Sequence, residues 1–547
     1  VGTPNISINQ LILWAALLGG LLVAAMLGSA VGSSDMRLVA AVLGLIPVIV
    51  LLANLKTNIW VLIPIGWYLD GRLLALPLPL TVRDICMLIV IGFYTGFFAM
   101  RVMPWKRQRS LLDNFILLNL AYLAIVYFRN PVGFFAFQST MVGGRPYFEV
   151  GMAFAAYLIL SRVRLSELVA RIFPWFMVIP NVAVGLAEIL SRLVPAFGQI
   201  ASSVYTGIGG GTGIGGMPAE EQRLGETRFT GLLGSGVIGV QALCARYSPI
   251  TLISPFHPVR TLLFAAALAA IFLSGFRSAI LFAMVAFLLS AVLRRQTRDL
   301  WLASAVAAIG LILLVTLQGS VIQLPITMQR SLSWLPGDWN EEAVRDAQGS
   351  TEWRLDMWKW AWEDTRIMRD KVWGQGFGFT LDDMNLIANA LLAGQSGGAF
   401  LGGSYQESFM IMGSFHSGPL STIKVLGVVG LLLYYPLMVY MAVLAWRLCR
   451  RAYGTKSFTL ALFIGIPIIY EPFNFVFIFG GIDSNYPRML FWAGLLNMLS
   501  NHLGAAPEPK MADASPGKRG LSARSHPGAF PRHLPQPDPR TARTPAR

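Results

Sequence analysis

Long apolar runs separated by short polar intervals recur along the chain from residue 11 to residue 503. Lipid offers no partner to a backbone N–H or C=O, so a spanning segment closes its own hydrogen bonds as a helix of about 17–25 mostly apolar residues. Runs of about that kind fall at 11–31, 38–55, 84–99, 112–126, 147–160, 168–190, 232–244, 259–273, 278–293, 300–317, 420–448, 458–479 and 489–503. A further run begins at Ile59 and is interrupted by Asp70-Gly71-Arg72, Pro77 and Pro79, which predicts a short helix followed by a loop dipping into the membrane surface. The ten-residue alternation of a transmembrane barrel is not seen. The pattern predicts an all-α membrane protein with about 12–14 transmembrane helices. The run at 11–31 has no basic segment before it and is too long for a cleavable leader, so it is expected to be a retained helix.

One long hydrophilic interval, 318–419, interrupts the apolar runs. Within it a helix is expected over 351–369, with Ser350 as N-cap. Trp353, Trp358, Trp360 and Trp362 give that helix the aromatic content of an element lying at a membrane–water interface. Arg354 and Trp358, four residues apart, share one face. Gly374-Gln375-Gly376-Phe377-Gly378-Phe379 reads as a glycine-rich turn out of the helix; it lacks the P-loop pattern, and no strand precedes it as a dinucleotide fingerprint requires. The glycine-rich 207–216 stretch reads as a flexible loop. The organisation expected is a polytopic domain at 1–503, the large loop 318–419 within it, and a disordered, basic, Pro-rich tail at 504–547.

Composition agrees with the pattern and removes other classes. Of 547 residues 55% are hydrophobic and 13% charged, and the mean hydropathy is +0.59, too apolar for a soluble protein of several domains. Cys86, Cys244 and Cys449 have no CxxC or histidine spacing, which speaks for small buried residues and against a disulfide framework or a zinc site. The net charge of +15 reports cytoplasmic loops and anionic head groups here, not nucleic acid. Basic clusters at 101–109, Arg162 with Arg164, 294–298 and 447–456 fall on one side if the spans alternate, and the tail joins them. The positive-inside rule makes that side cytoplasmic, with both termini there and the loops near 130–146, 191–230 and 318–419 facing outward.

Arginine is disfavoured on the outward side, yet Arg145, Arg228, Arg277 and Arg354 all map there. Arg277 sits between two apolar runs with almost no loop around it, and an ionisable group at that depth tends to mark a site, the alternative for it and the other three being snorkelling to lipid phosphate. Guanidinium groups suit phosphate oxygens because their planar donors bind in a fork, so an anionic ligand is expected. His416, in Gly413-Ser414-Phe415-His416-Ser417, is the one histidine of five that this topology places outside. Its ordinary pKa suits a general base. Asp70 and Glu471 are membrane carboxylates that tune the cleft or serve the structure.

In order along the chain, Arg-Phe-Thr-Gly, Ser-Gly-Phe-Arg-Ser-Ala, Thr-Glu-Trp-Arg-Leu-Asp-Met-Trp, Gly-Gln-Gly-Phe-Gly and Phe-His-Ser-Gly-Pro-Leu-Ser-Thr-Ile-Lys-Val-Leu-Gly resemble the O-antigen ligase and O-antigen polymerase family over roughly residues 228–448. The resemblance implies a multi-pass protein of the bacterial inner membrane. It would move glycan from undecaprenyl diphosphate to an acceptor sugar hydroxyl on the periplasmic face, with no nucleotide sugar, cofactor or metal. It implies that His416 activates the acceptor hydroxyl and that Arg277 and Arg354 hold the lipid diphosphate. Arg228 matches less closely, and Arg145 rests on topology alone. Ser417 stands where the family often has Asn, which puts any acceptor contact at that side chain in question. Partners implied are the lipid-linked glycan, an acceptor glycan or lipid A core, and membrane lipids; ligase and polymerase differ only in that acceptor. A lipid-linked glycan flippase or other secondary transporter is the rival, with Asp70 and Glu471 as coupling groups, but the chain shows no pair of matched halves. A non-catalytic envelope scaffold leaves the outward Arg and His pattern to chance.

Overall fold

The computed structural model describes residues 56–72, 80–99, 110–133, 141–207, 229–381, 383–385 and 410–505. The first two expected spans, Pro77 and Pro79, the basic cluster at 101–109, Arg228, most of the 207–216 stretch and the tail from 506 lie outside the described residues.

Within them the chain is helical. After a 3-10 turn at Lys56–Val61 come α1 (Leu62–Trp67), α2 (Val82–Ala99), α3 (Leu111–Arg129), α4 (Arg145–Leu160), α5 (Glu167–Leu193) and α6 (Pro195–Val204). There follow α7 (Thr230–Arg246), α8 (Pro249–Ile253), α9 (Pro258–Leu273), α10 (Arg277–Leu293) and α11 (Thr297–Leu317). The long interval carries α12 (Ile326–Leu332) and α13 (Glu341–Glu363), and the chain closes with α14 (Gly418–Ala452), α15 (Phe458–Phe477) and α16 (Ile482–Ala505). Each predicted run from residue 84 onward lies in a helix, with ends within a few residues of those expected except that α16 starts at Ile482, seven residues before the expected 489. Among the described residues six helices are long and apolar enough to cross a membrane, α2, α3, α5, α11, α14 and α15. The protein is an all-α membrane protein.

Small residues and buried polar side chains bring the helices together. Gly494 of α16 lies where a Cβ would sit 3.1 Å from Tyr157 Cα of α4, so the two backbones approach closely. Asn497 donates to Ser161 Oγ at 3.1 Å across the same seam, a bond that apolar surroundings make expensive to lose. Glu188 of α5 accepts from the backbone N–H groups of Gly231 (2.8 Å) and Leu232 (3.1 Å), supplying α7 with an N-cap from another helix. All three cysteines are free, with Cys244 and Cys449 buried.

Two local features depart from expectation. The loop helix starts at Glu341, not near 351, and its N-cap is Asn340, whose Oδ1 accepts from Glu342 N at 2.8 Å. Acidic Glu341 and Glu342 in the first turn favour that start, and Ser350 lies inside the helix. It ends at Glu363 and not at 369, because Asp364 leaves the helical region and takes Arg366 N (2.8 Å) and the Arg366 guanidinium (2.7 Å) onto its carboxylate. The second departure is α14, which breaks at Gly427 (φ 70°, ψ 178°) into a half-helix at 418–426 and a longer spanning part. Only glycine adopts that conformation at low cost.

Candidate functional site

The strip at 371–376 fills the break in α14. Gln375 N and Gly376 N donate to the carbonyls of Lys424 (3.0 Å) and Val425 (2.9 Å), while Val428 N and Val429 N donate to those of Lys371 (2.8 Å) and Val372 (3.2 Å). Tyr122 of α3 adds its hydroxyl to the Leu426 carbonyl at 2.8 Å. Groups freed by the broken helix are thus repaired by the loop, the condition for irregular backbone at this depth. Gly374 and Gly376 have φ of 83° and 73°, and a Cβ on Gly374 would meet Val425 O at 2.4 Å. The glycine-rich turn is a clamp on α14.

His416 ends the segment that leads into the half-helix. It is half-buried, with a left-handed φ of 51°, uncommon outside glycine and held only where neighbours over-determine it. Its imidazole lies between Trp353 of α13 (ring centroids 6.0 Å apart) and Phe479, just past α15 (5.1 Å). Trp358, one turn beyond Arg354, donates its indole N–H to the Phe415 carbonyl at 2.7 Å. The loop helix therefore lies against the histidine segment with Arg354 beside the contact, in keeping with the spacing in the sequence.

Arg277 starts α10 after a reversal at Gly275 (φ 75°). Phe282, five residues on, packs against Tyr470 of α15 with centroids 5.5 Å apart. At a rise of about 1.5 Å per residue Arg277 lies about 7–8 Å from Phe282 toward the loop end, the direction in which α15 runs to Phe479. Ser331 of α12 donates to Phe272 O at 3.5 Å, so the loop touches the end of α9 immediately before the Arg277 turn. Arg228 is outside the described residues, but its neighbour Phe229 donates its N–H to Ser274 O at 3.3 Å, at the same turn.

Arg145 is differently placed. It starts α4, and its guanidinium pairs with Glu149 (2.9 Å) and Asp84 (3.5 Å). Next to it Arg83 bridges Glu149 (3.0 Å) and Asp70 (3.2 Å). Just before α4, Met141–Val142 pair as a two-stranded ribbon with Phe379–Thr380 of the loop. Glu471 is buried and accepts from Arg488 (2.6 Å), Asn474 (3.3 Å) and Asn485, tying α15 to α16.

Two further arginines were not singled out from sequence. Arg192 of α5 stacks on the Phe229 ring at 3.7 Å, and Arg330 of α12 is buried at 8% exposure, on the helix that meets the Arg277 turn. The signal for Arg192 was a base at the outward end of an expected span; Arg330 had none beyond its place in the loop. In the loop, burial alone would raise the Asp383 carboxyl, but hydrogen bonds from Thr380 and the Arg369 guanidinium hold it below its ordinary range. Hydrogen bonds from Arg366 lower Asp364 likewise. Among the described residues no group of three His, Cys, Asp or Glu side chains is arranged to hold a metal ion.

Residues 262–435 match the family model described as O-antigen ligase. The matched interval contains Arg277, Arg354 and His416 and excludes Arg145 and Arg228. No curated protein matches the chain.

Proposed function

Taking residues 262–435 as an O-antigen ligase domain, we propose that the protein is a glycosyltransferase that moves glycan from undecaprenyl diphosphate to an acceptor sugar hydroxyl on the periplasmic face of the inner membrane. The observation that carries this reading is His416, held in a left-handed conformation between Trp353 and Phe479 and beside the helix of Arg354. His416 takes the proton of the acceptor hydroxyl as its oxygen bonds to the anomeric carbon. The bond from that carbon to the diphosphate breaks on the opposite side, which inverts the configuration. The leaving diphosphate gains charge, and the guanidinium groups of Arg277, Arg354 and Arg228 stabilise it. Arg145, paired with Glu149 and Asp84, would exchange a carboxylate for a phosphate oxygen.

The test is transfer in liposomes containing the purified protein, a lipid diphosphate glycan donor and either a second lipid-linked glycan or a lipid A core as acceptor. Elongated lipid-linked chains identify a polymerase and glycan joined to core a ligase. Transfer to neither acceptor, with donor and protein intact, refutes the proposal.

A further inference from the structure

His416 follows a helical turn at 410–412, a reversal at Gly413 (φ 79°) and two residues outside helix or strand. The carbonyl groups of this segment are claimed by side chains from outside it. Lys424 Nζ donates to Met410 O at 2.8 Å and also to Ile411 O. Ser421 Oγ donates to Gly413 O at 2.9 Å, and Trp358 supplies Phe415 O. Lys424 is 5% exposed. A buried ammonium is costly; this one donates to peptide carbonyls, with the Asp383 carboxylate acting on it through space. Its stem runs past Gly413 (φ 79°), where a Cβ would come within 3.4 Å of Lys424 Cδ, and its ammonium lies 5.8 Å from the Phe415 ring centroid.

The backbone of Lys424 also holds the other flank, since its carbonyl receives Gln375 N at 3.0 Å, the first bond of the glycine clamp. One residue of the half-helix thus holds the glycine strip on one side of residues 386–409 in the chain and the histidine segment on the other. The far wall is equally tight. Gly418 and Gly480 are in backbone contact, with a Cβ on Gly480 falling 2.7 Å from Gly418 Cα, and Ile482 N donates to Ser421 Oγ at 3.2 Å.

We propose that Lys424 is a positioning residue for His416, holding the backbone before it so that the imidazole stays in its left-handed seat between Trp353 and Phe479. The inference rests on His416 being the base. Loss of the ammonium frees two carbonyls and lets the segment relax; a displacement of about 1 Å at a catalytic group costs about 100-fold in rate.

The experiment measures the single-turnover rate constant in liposomes at saturating lipid diphosphate glycan, a quantity independent of the fraction of protein that is active. Lys424→Met keeps the stem without the donor, and its rate constant is expected to fall about 100-fold. Lys424→Gln keeps an N–H donor and is expected to recover about 10-fold of that loss. A Lys424→Met protein with the wild-type rate constant and only a smaller amplitude overturns the inference, because the lysine then serves folding alone. His416→Ala reacting at the wild-type rate would instead overturn the reading of His416 as base. If Lys424→Met does not accumulate in membranes, the combined Trp358→Phe and Ser421→Ala protein, which loses two of the same segment's donors, carries the test. It is expected to slow about 10-fold, and an unchanged rate constant overturns the inference.

Discussion

Gly427→Ala separates the clamp from the rest of the fold. Its φ of 70° with ψ of 178° belongs to a region that is nearly glycine-only, and placing alanine there costs about 1–3 kcal/mol. The new Cβ would also lie 2.1 Å from Val372 O and 2.4 Å from Val372 C. Backbone is in the way, so the strip at 371–376 must leave, and with it go the four bonds to Lys424, Val425, Val428 and Val429. At about 1 kcal/mol each, the sum of strain and lost bonds lies at about 5–7 kcal/mol. Lys371 then becomes available to trypsin. Opening is expected to rise by at least about 100-fold, read as the cleavage rate after Lys371 at low protease concentration. Gly454→Ala is the control: its φ is 77°, but no described atom lies within 4 Å of an added Cβ, so it carries only conformational strain of about 1 kcal/mol. Equal cleavage after Lys371 in the two variants would refute the clamp.

Arg277→Lys is expected to lower transfer at subsaturating donor by about 10-fold or more, since a point charge loses the fork geometry; unchanged turnover there would count against a diphosphate contact. Glu471→Gln takes the carboxylate from Arg488, which is partly exposed and solvated, and thermal unfolding in detergent is expected to show a loss of about 1 kcal/mol. Asp383 titrates below its ordinary range in the folded loop, so its contribution is present above the unfolded carboxylate pKa of about 3.9 and is lost as pH falls through the lower folded value. Trp373 emission, which reports the attachment of the strip, should be flat from pH 7 to about 4.5 and change only at lower pH; a transition near pH 6 would assign the attachment to another group. A cysteine introduced in the 318–419 loop should react with an impermeant reagent in cells with a permeabilised outer membrane, and protection would invert the topology.

The helices were legible because hydropathy and helix length are local properties, and the runs from 84 to 503 match the observed elements. The contact of the loop helix with the His416 segment, Trp358 to the Phe415 carbonyl, left only a partial trace in the sequence, the face that Trp358 shares with Arg354. The break at Gly427 was not, since it lies inside the uninterrupted apolar run 420–448 and is created by a strip about 50 residues upstream. The partners of Arg145 were hidden for the same reason: Asp84 is on another helix, and Glu149 is marked only by its four-residue spacing. Lys424 carries no local signal of its contacts; only the folded segment shows which carbonyls it serves.

The central claim is that His416 removes the proton from an acceptor hydroxyl while a lipid diphosphate departs. Transfer in liposomes by the wild type and by His416→Ala, on the same donor and acceptor, tests it most directly. The variant is predicted to remain folded, bind donor and lose transfer by at least about 100-fold. Turnover at the wild-type rate by folded His416→Ala protein would contradict it.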